Sequence, residues 1–177
     1  MTELAREYGE GLYDLAVEEN MAGDLLAQLR VLDTTFKEQP DFCRLLSNRA
    51  LGQNERLGIL DSTLGGQVAP YLLNFLKLLC ERGILNEFAG CVAVYTEHYN
   101  QDNNIAVATV TTSAPLSESQ RQRLIEKLKA MTGKGISLVE KLDASVLGGV
   151  MLELDGKRYD NTVKSRLESI HEMLVKQ

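Results

Sequence analysis

Three features of this chain carry residue types that chemistry could use. Gly133-Lys134 has the look of a phosphate loop, in which glycines bare backbone N–H groups and a lysine reaches the phosphates. The first glycine of that motif would stand where Leu128 is, and Gly135 takes the place of the hydroxyl that holds magnesium. Gly9-x-Gly11 could open a dinucleotide fingerprint, but Asp14 occupies the third glycine position and no strand pattern precedes it. The two histidines, His98 and His171, could ligate a metal, yet neither has a second His or Cys at i+3 or i+4. No G-x-S-x-G or H-E-x-x-H occurs. Glu18-Glu19 reads as a helix-end pair, not an acid/base couple. The residues therefore point to a non-catalytic chain with no cofactor and no metal.

Composition narrows the classes further. At 177 residues, 44% of them apolar, the chain can build one domain or two small ones. A net charge of −6 argues against a general nucleic-acid binder. The charge is uneven: residues 1–104 hold 8 Lys+Arg against 16 Asp+Glu, residues 105–177 hold 11 against 9. Two halves of different electrical character suit two different partners. Cys43, Cys80 and Cys91 are odd in number and lack C-x-x-C spacing, so they read as buried free thiols of a reducing compartment. The opening MTELAREYGE is too polar for a signal peptide, and no apolar run approaches the ~18 residues of a membrane span. Membrane association is then expected only through a partner.

The elements that position these residues fall into two groups. Residues 1–104 read as six helices. The first, about Thr2 to Glu19, has Leu4, Tyr8, Leu12 and Leu15 on one face. The second carries Leu25, Leu26, Leu29, Leu32 and Phe36 and ends at Pro40. A short helix with Phe42, Leu45 and Leu46 follows, then one with Leu57, Leu60 and Leu64 closed by Gly65-Gly66. The fifth starts at Pro70 and stops at Gly83, with apolar residues nearly all round, as a buried spine would have. The sixth shows Phe88, Val92, Tyr95 and Tyr99.

After residue 104 the period changes. Ile105 to Thr112 is β-branched and reads as a strand. Ser117 and Gln120 form a capping box for a helix bearing Leu124, Leu128 and Met131, which Gly133 and Gly135 end. Leu138 to Leu142 reads as a second strand. Gly148-Gly149 shape a turn into a strand in which Val150, Leu152 and Leu154 alternate with Met151 and Glu153. Asp155-Gly156 suits a type I′ hairpin. Asp160 or Thr162 can cap a last helix with Val163, Leu167, Ile170 and Leu174 on its apolar face. The expected fold is α+β: a six-helix bundle over 1–104, then a small α/β domain over 105–177 in the order β-α-β-β-β-α.

Two features ask for more than folding. Gly9 and Gly11 lie inside a helix, where each costs about 0.5–1 kcal/mol relative to alanine. They mark a line of close approach, either to another helix of the same bundle or to a partner. The fifth helix has more apolar surface than one core can take, with Phe75 turned inward and Tyr71, Leu78 and Arg82 left to face elsewhere. Surplus apolar surface on these two helices predicts a groove for an amphipathic helix, lined by Tyr8, Gly11, Leu12, Leu15, Phe75 and Leu78.

These residues also match a known family. Ala5-Arg6-x-Tyr8 with Leu12-Tyr13-x-Leu15-Ala16, then Arg82-Gly83-Ile84-Leu85, resemble segments of the delta/OSCP family of F1Fo ATP synthase subunits. Most specific are Leu142-Asp143-x-Ser145-Val146-Leu147-Gly148-Gly149-Val150 and Asp160-x-Thr162-Val163 with Leu167. The similarity spans the chain. Glu7 stands where the family often has proline, Gly9 and Gly11 where alanines are common, and Thr162 where serine is frequent. The resemblance implies a non-catalytic peripheral-stalk (stator) subunit on the cytoplasmic face of the cell membrane, held there through the complex. It implies that the helical domain grips the N-terminal helix of an alpha subunit between the first and fifth helices. The C-terminal domain would hold the b subunits, so that rotation is coupled to proton-driven ATP synthesis. The alternative is a helical adaptor of another multiprotein complex, which gives the segment from Gly148 to Leu167 no reason to exist.

Overall fold

A computed structural model of the chain describes residues 2–48, 50–144, 146, 149–154 and 156–162. It is α+β, with two compact units, Met1–Tyr99 and Asn100–Gln177. In chain order the helices are α1 (Glu3–Glu18), α2 (Ala22–Glu38), α3 (Pro40–Ser47), α4 (Gln53–Leu64), α5 (Pro70–Arg82) and, after a 3-10 turn at Leu85–Glu87, α6 (Phe88–Asp102). Then come β1 (Ile105–Thr112), α7 (Glu118–Thr132), β2 (Gly135–Leu142), β3 (Gly149–Leu154) and β4 (Lys157–Thr162).

The first unit has one apolar core. Leu25, Leu26, Leu29, Leu32 and Phe36 of α2 meet Leu72, Leu76 and Leu79 of α5 and Phe88, Val92 and Tyr95 of the sixth helix. Aromatic edges lock the centre: Tyr13 and Tyr95 meet edge-on with centroids 5.2 Å apart, and the Tyr95 hydroxyl donates to the Ala22 carbonyl at 2.9 Å. Burial pushes the Tyr95 phenol well above its ordinary range, with Tyr13 and Tyr99 adding to the shift. The two deepest thiols, Cys80 and Cys91, are buried, whereas Cys43 is only half-buried. Cys91 is pushed up to about 11, chiefly by desolvation and secondarily by Glu87.

The face of α1 that enters this core is not the one its leucines suggest. Ala5, Gly9, Leu12, Tyr13 and Ala16 are buried, while Leu4 is 44% exposed. Small residues hold the inner stripe because α6 lies too close for larger ones. A Cβ on Gly9 would stand 2.8 Å from Val94 Cβ and 2.9 Å from the Cys91 carbonyl, and one on Gly90 would stand 2.8 Å from Ala5 Cβ. The leucine stripe was the larger hydrophobic signal, but packing distance decided which side turned inward.

The second unit is a four-stranded sheet in the order β2-β1-β3-β4, with β1 parallel to β2 and the other pairs antiparallel. Alternation on β1 buries Ala106, Ala108, Val110 and Thr112. Leu128 of α7 covers Ala106 and Ala108, with Leu154 beside them. Ser117 accepts from the Gln120 amide and Gln120 returns to the Ser117 amide, completing the capping box. Gly133 ends that helix at φ +68° and β2 follows, so Gly133-Lys134 is a helix C-cap. Met131, expected on the apolar face, is 71% exposed.

Gly149 begins β3 at φ +94°, a conformation that favours glycine, and pairs with Thr162. Gly156 has φ +75° in the hairpin between Leu154 and Lys157. Asp160 does not cap a helix: it lies inside β4, paired with Met151. Thr162 is the last residue of that strand. Pairing of Asp160 with Met151, with two more strand residues after it, excludes Asp160 as the cap, and the residues that Thr162 would cap lie outside the described residues. Gly148, Asp155 and the expected last helix fall outside the described residues.

Candidate functional site

The most informative concavity of the first unit lies between α1 and α5. Its cavity of about 530 Å³ is lined by Glu7, Tyr8, Gly11, Leu12, Leu15, Tyr71, Asn74, Phe75 and Leu78. All six groove residues expected from sequence meet here. Leu12 and Phe75 form its buried floor, and Leu78 is 37% exposed at its wall.

Each wall is held by identifiable local chemistry. Thr2 caps α1, accepting from the Ala5 amide at 3.1 Å while its hydroxyl donates to Glu87. Gly9 and Gly90 bring α1 and α6 together, which turns Tyr8, Gly11 and Leu15 outward. Pro70 starts α5 at the first turn, and Gln28 Oε1 accepts the Ala69 amide at 2.7 Å just before it. Gly83 ends α5 at φ +70°, and the amides of Gly83 and Ile84 return to the carbonyls of Cys80 and Leu79. Arg56 also donates to the carbonyls of Leu46 and Cys80, each at 3.2 Å, tying α4 to the end of α5. Lys77 meets Asp61 at 2.6 Å on the far side of α5.

The paired glycines separate in role. Gly9 packs against α6, whereas a Cβ on Gly11 would meet nothing within 4 Å. Gly11 thus leaves the groove open along its length. At one end Tyr71 of the cavity lining meets Glu19, the residue just past α1. The charge of Glu19, then burial and a hydrogen bond between the two side chains, raise the Tyr71 phenol.

The groove is suited to burial and not to bond making. It offers aromatic and aliphatic walls, one amide side chain and a carboxylate at the edge. His98 lies outside it, stacked on Tyr13 at 5.7 Å and 3.6 Å from Glu10. His171 is outside the described residues. Among the described residues no group of His, Cys, Asp or Glu is arranged to hold a metal, and no helix is long and apolar enough to cross a membrane.

The second unit has its own apolar concavity, about 760 Å³, where Leu124, Leu128 and Met131 of α7 face Val150, Leu152 and Tyr159 of β3 and β4. Arg123, Glu126 and Lys127 stand along its edge. Sequence periodicity identified the leucines but not Tyr159, which is 45% exposed on a strand with mostly polar neighbours.

Known proteins resemble this chain in sequence and in fold. The family model for the ATP synthase delta (OSCP) subunit matches residues 4–174. The ATP synthase subunit delta of Desulfitobacterium hafniense is 30% identical over 97% of this chain and 96% of its own length. That of Clostridioides difficile is 28% identical over 97% and 95%. In fold, a chain of the Toxoplasma gondii mitochondrial ATP synthase hexamer superposes with a TM-score of 0.73 over 98% of each chain, at 21% identity.

Proposed function

The chain belongs to the ATP synthase delta (OSCP) subunit family, and from that membership we propose how its two units divide the work of a peripheral stalk. It is a non-catalytic stalk subunit of an F1Fo ATP synthase, a peripheral component of a membrane-bound complex. In our reading the first six helices form the bundle that seats on the catalytic head. The groove between α1 and α5 takes the N-terminal helix of an alpha subunit. The second unit takes the b subunits, on the cytoplasmic face of the cell membrane. Joined in one chain, the two contacts hold the head still while the central shaft turns, so that proton flow is coupled to ATP synthesis.

The observation that carries this reading is the groove itself. Tyr8, Gly11, Leu12, Leu15, Phe75 and Leu78 come from two helices and line one apolar channel. Helix-in-groove recognition works through such a channel, with anchors at i, i+3, i+4 and i+7 filling it and polar groups at the rim. A stator joint must resist torque, and buried apolar area with a polar rim supplies that without any chemistry.

Titration of the chain with a synthetic peptide of the alpha N-terminal helix from the same organism tests the assignment. Gly11→Leu fills the open channel beside Leu12 and Phe75 and should weaken binding by about 1–3 kcal/mol, an ordinary overpacking cost. Unchanged affinity in the intact variant would remove Gly11 from the contact.

A further inference from the structure

The groove has a second property, which its apolar lining does not explain. On α1 the residues Glu3, Glu7, Asp14 and Glu18 are all exposed, and at 100° per residue they fall within about 60° of arc. That stripe borders the groove face carrying Tyr8, Gly11 and Leu15, and Glu7 itself lines the cavity. The helix has a single cation, Arg6, which lies on the opposite edge of the stripe from the groove, and none in its last turn. Arg82 ends the α5 wall one turn beyond Leu78.

This arrangement works against α1 in isolation. Glu3–Glu7 and Asp14–Glu18 are like charges at i, i+4, which repel. Asp14 and Glu18 also lie toward the negative end of the helix dipole, where cations are preferred. Among the described residues no ion pair engages any of the four. Glu3 suits the helix N-terminus, but Glu7, Asp14 and Glu18 make no ion pair among the described residues, and the last two oppose the helix dipole, so a cation from a partner would compensate them.

We propose that the occupant of the α1–α5 groove is an amphipathic helix with a row of Lys or Arg along the edge that meets α1, and that Glu7, Asp14 and Glu18 fix its direction and register. This rests on the groove reading above and names the chemistry of its partner. Apolar anchors alone allow a helix to enter in either direction or to slip by a turn. An acidic rail on one side of the channel admits only the orientation that places the cations on that side. The same rail speeds encounter with a basic segment and makes the contact sensitive to salt, because exposed charges are screened over about 10 Å at 0.1 M.

The test is calorimetric titration of the full chain with a synthetic peptide of the alpha N-terminal helix from the same organism, at low and at high salt. The triple variant Glu7→Gln, Asp14→Asn, Glu18→Gln should bind roughly tenfold more weakly at low salt, the combined effect of three exposed pairs. Its affinity should also lose most of its salt dependence, while its thermal midpoint stays the same or rises. A control with the same charge change away from the groove, Asp24→Asn, Glu38→Gln, Asp41→Asn, should bind as the original does. Equal affinity and equal salt dependence in the triple variant, with the peptide still bound, would overturn the acidic rail and leave the groove assignment standing. Failure of the original chain to bind the peptide at all would overturn both.

Discussion

Replacing Gly9 and Gly11 by alanine, one at a time, should move stability in opposite directions although both lie in the same helix two residues apart. Either change gains about 1 kcal/mol of helix propensity, because alanine loses less backbone entropy than glycine. At Gly11 nothing lies within 4 Å of the new methyl, so that gain should appear as a stabilisation of about 0.5–1 kcal/mol. At Gly9 the methyl would stand 2.8 Å from Val94 Cβ and 2.9 Å from the Cys91 carbonyl. Neither atom is the end of a flexible side chain, so α1 must be pushed off α6. Overpacking of this kind costs about 1–3 kcal/mol, which offsets the propensity gain and leaves a net loss of up to about 2 kcal/mol. Urea unfolding followed by helical circular dichroism resolves the two, since the overpacking cost of about 1–3 kcal/mol separates them and the slope should be unchanged. Equal shifts in the same direction would refute the account of why small residues hold the inner stripe.

The other stability predictions are more local. Ser117→Ala should remove one arm of the capping box and cost the second unit about 1 kcal/mol, read as faster hydrogen exchange in α7. Cys91 has a folded pKa raised from 9.0 to about 11, so it favours the folded state fully below pH 9 and that contribution is lost as pH rises through about 11. Unfolding free energy should therefore fall over that window, and Cys91→Ala should flatten the fall even if it lowers stability at neutral pH. An unaltered alkaline slope in the variant would assign the loss elsewhere.

The sequence was most readable where local chemistry and tertiary packing agree. Ile105–Thr112 is a strand at both of its expected ends because its β-branched run also alternates correctly for the sheet. Pro70 and Gly83 bound α5 because one suits a helix first turn and the other a left-handed cap. The groove was legible because α5 carries more apolar surface than one core can use. Three things were not legible. The inner stripe of α1 is Ala5-Gly9-Ala16 with Leu12 and Tyr13, and only the closeness of α6 shows why small residues face inward. The two glycines look alike in sequence but lie in a tight contact and an open channel. Asp160 has the residue type of a cap, yet strand pairing claims its backbone. In each case a distance between elements decided the outcome, and spacing along one element does not contain that distance.

The central claim is that one chain joins two parts of the synthase, and restoring coupling to membranes that lack this subunit tests it most directly. The full chain should restore proton-driven ATP synthesis. A fragment ending at Asn104 should bind the catalytic head through the α1–α5 groove, compete with the full chain for it, and restore no synthesis. Full restoration by the fragment alone would contradict the two-anchor account.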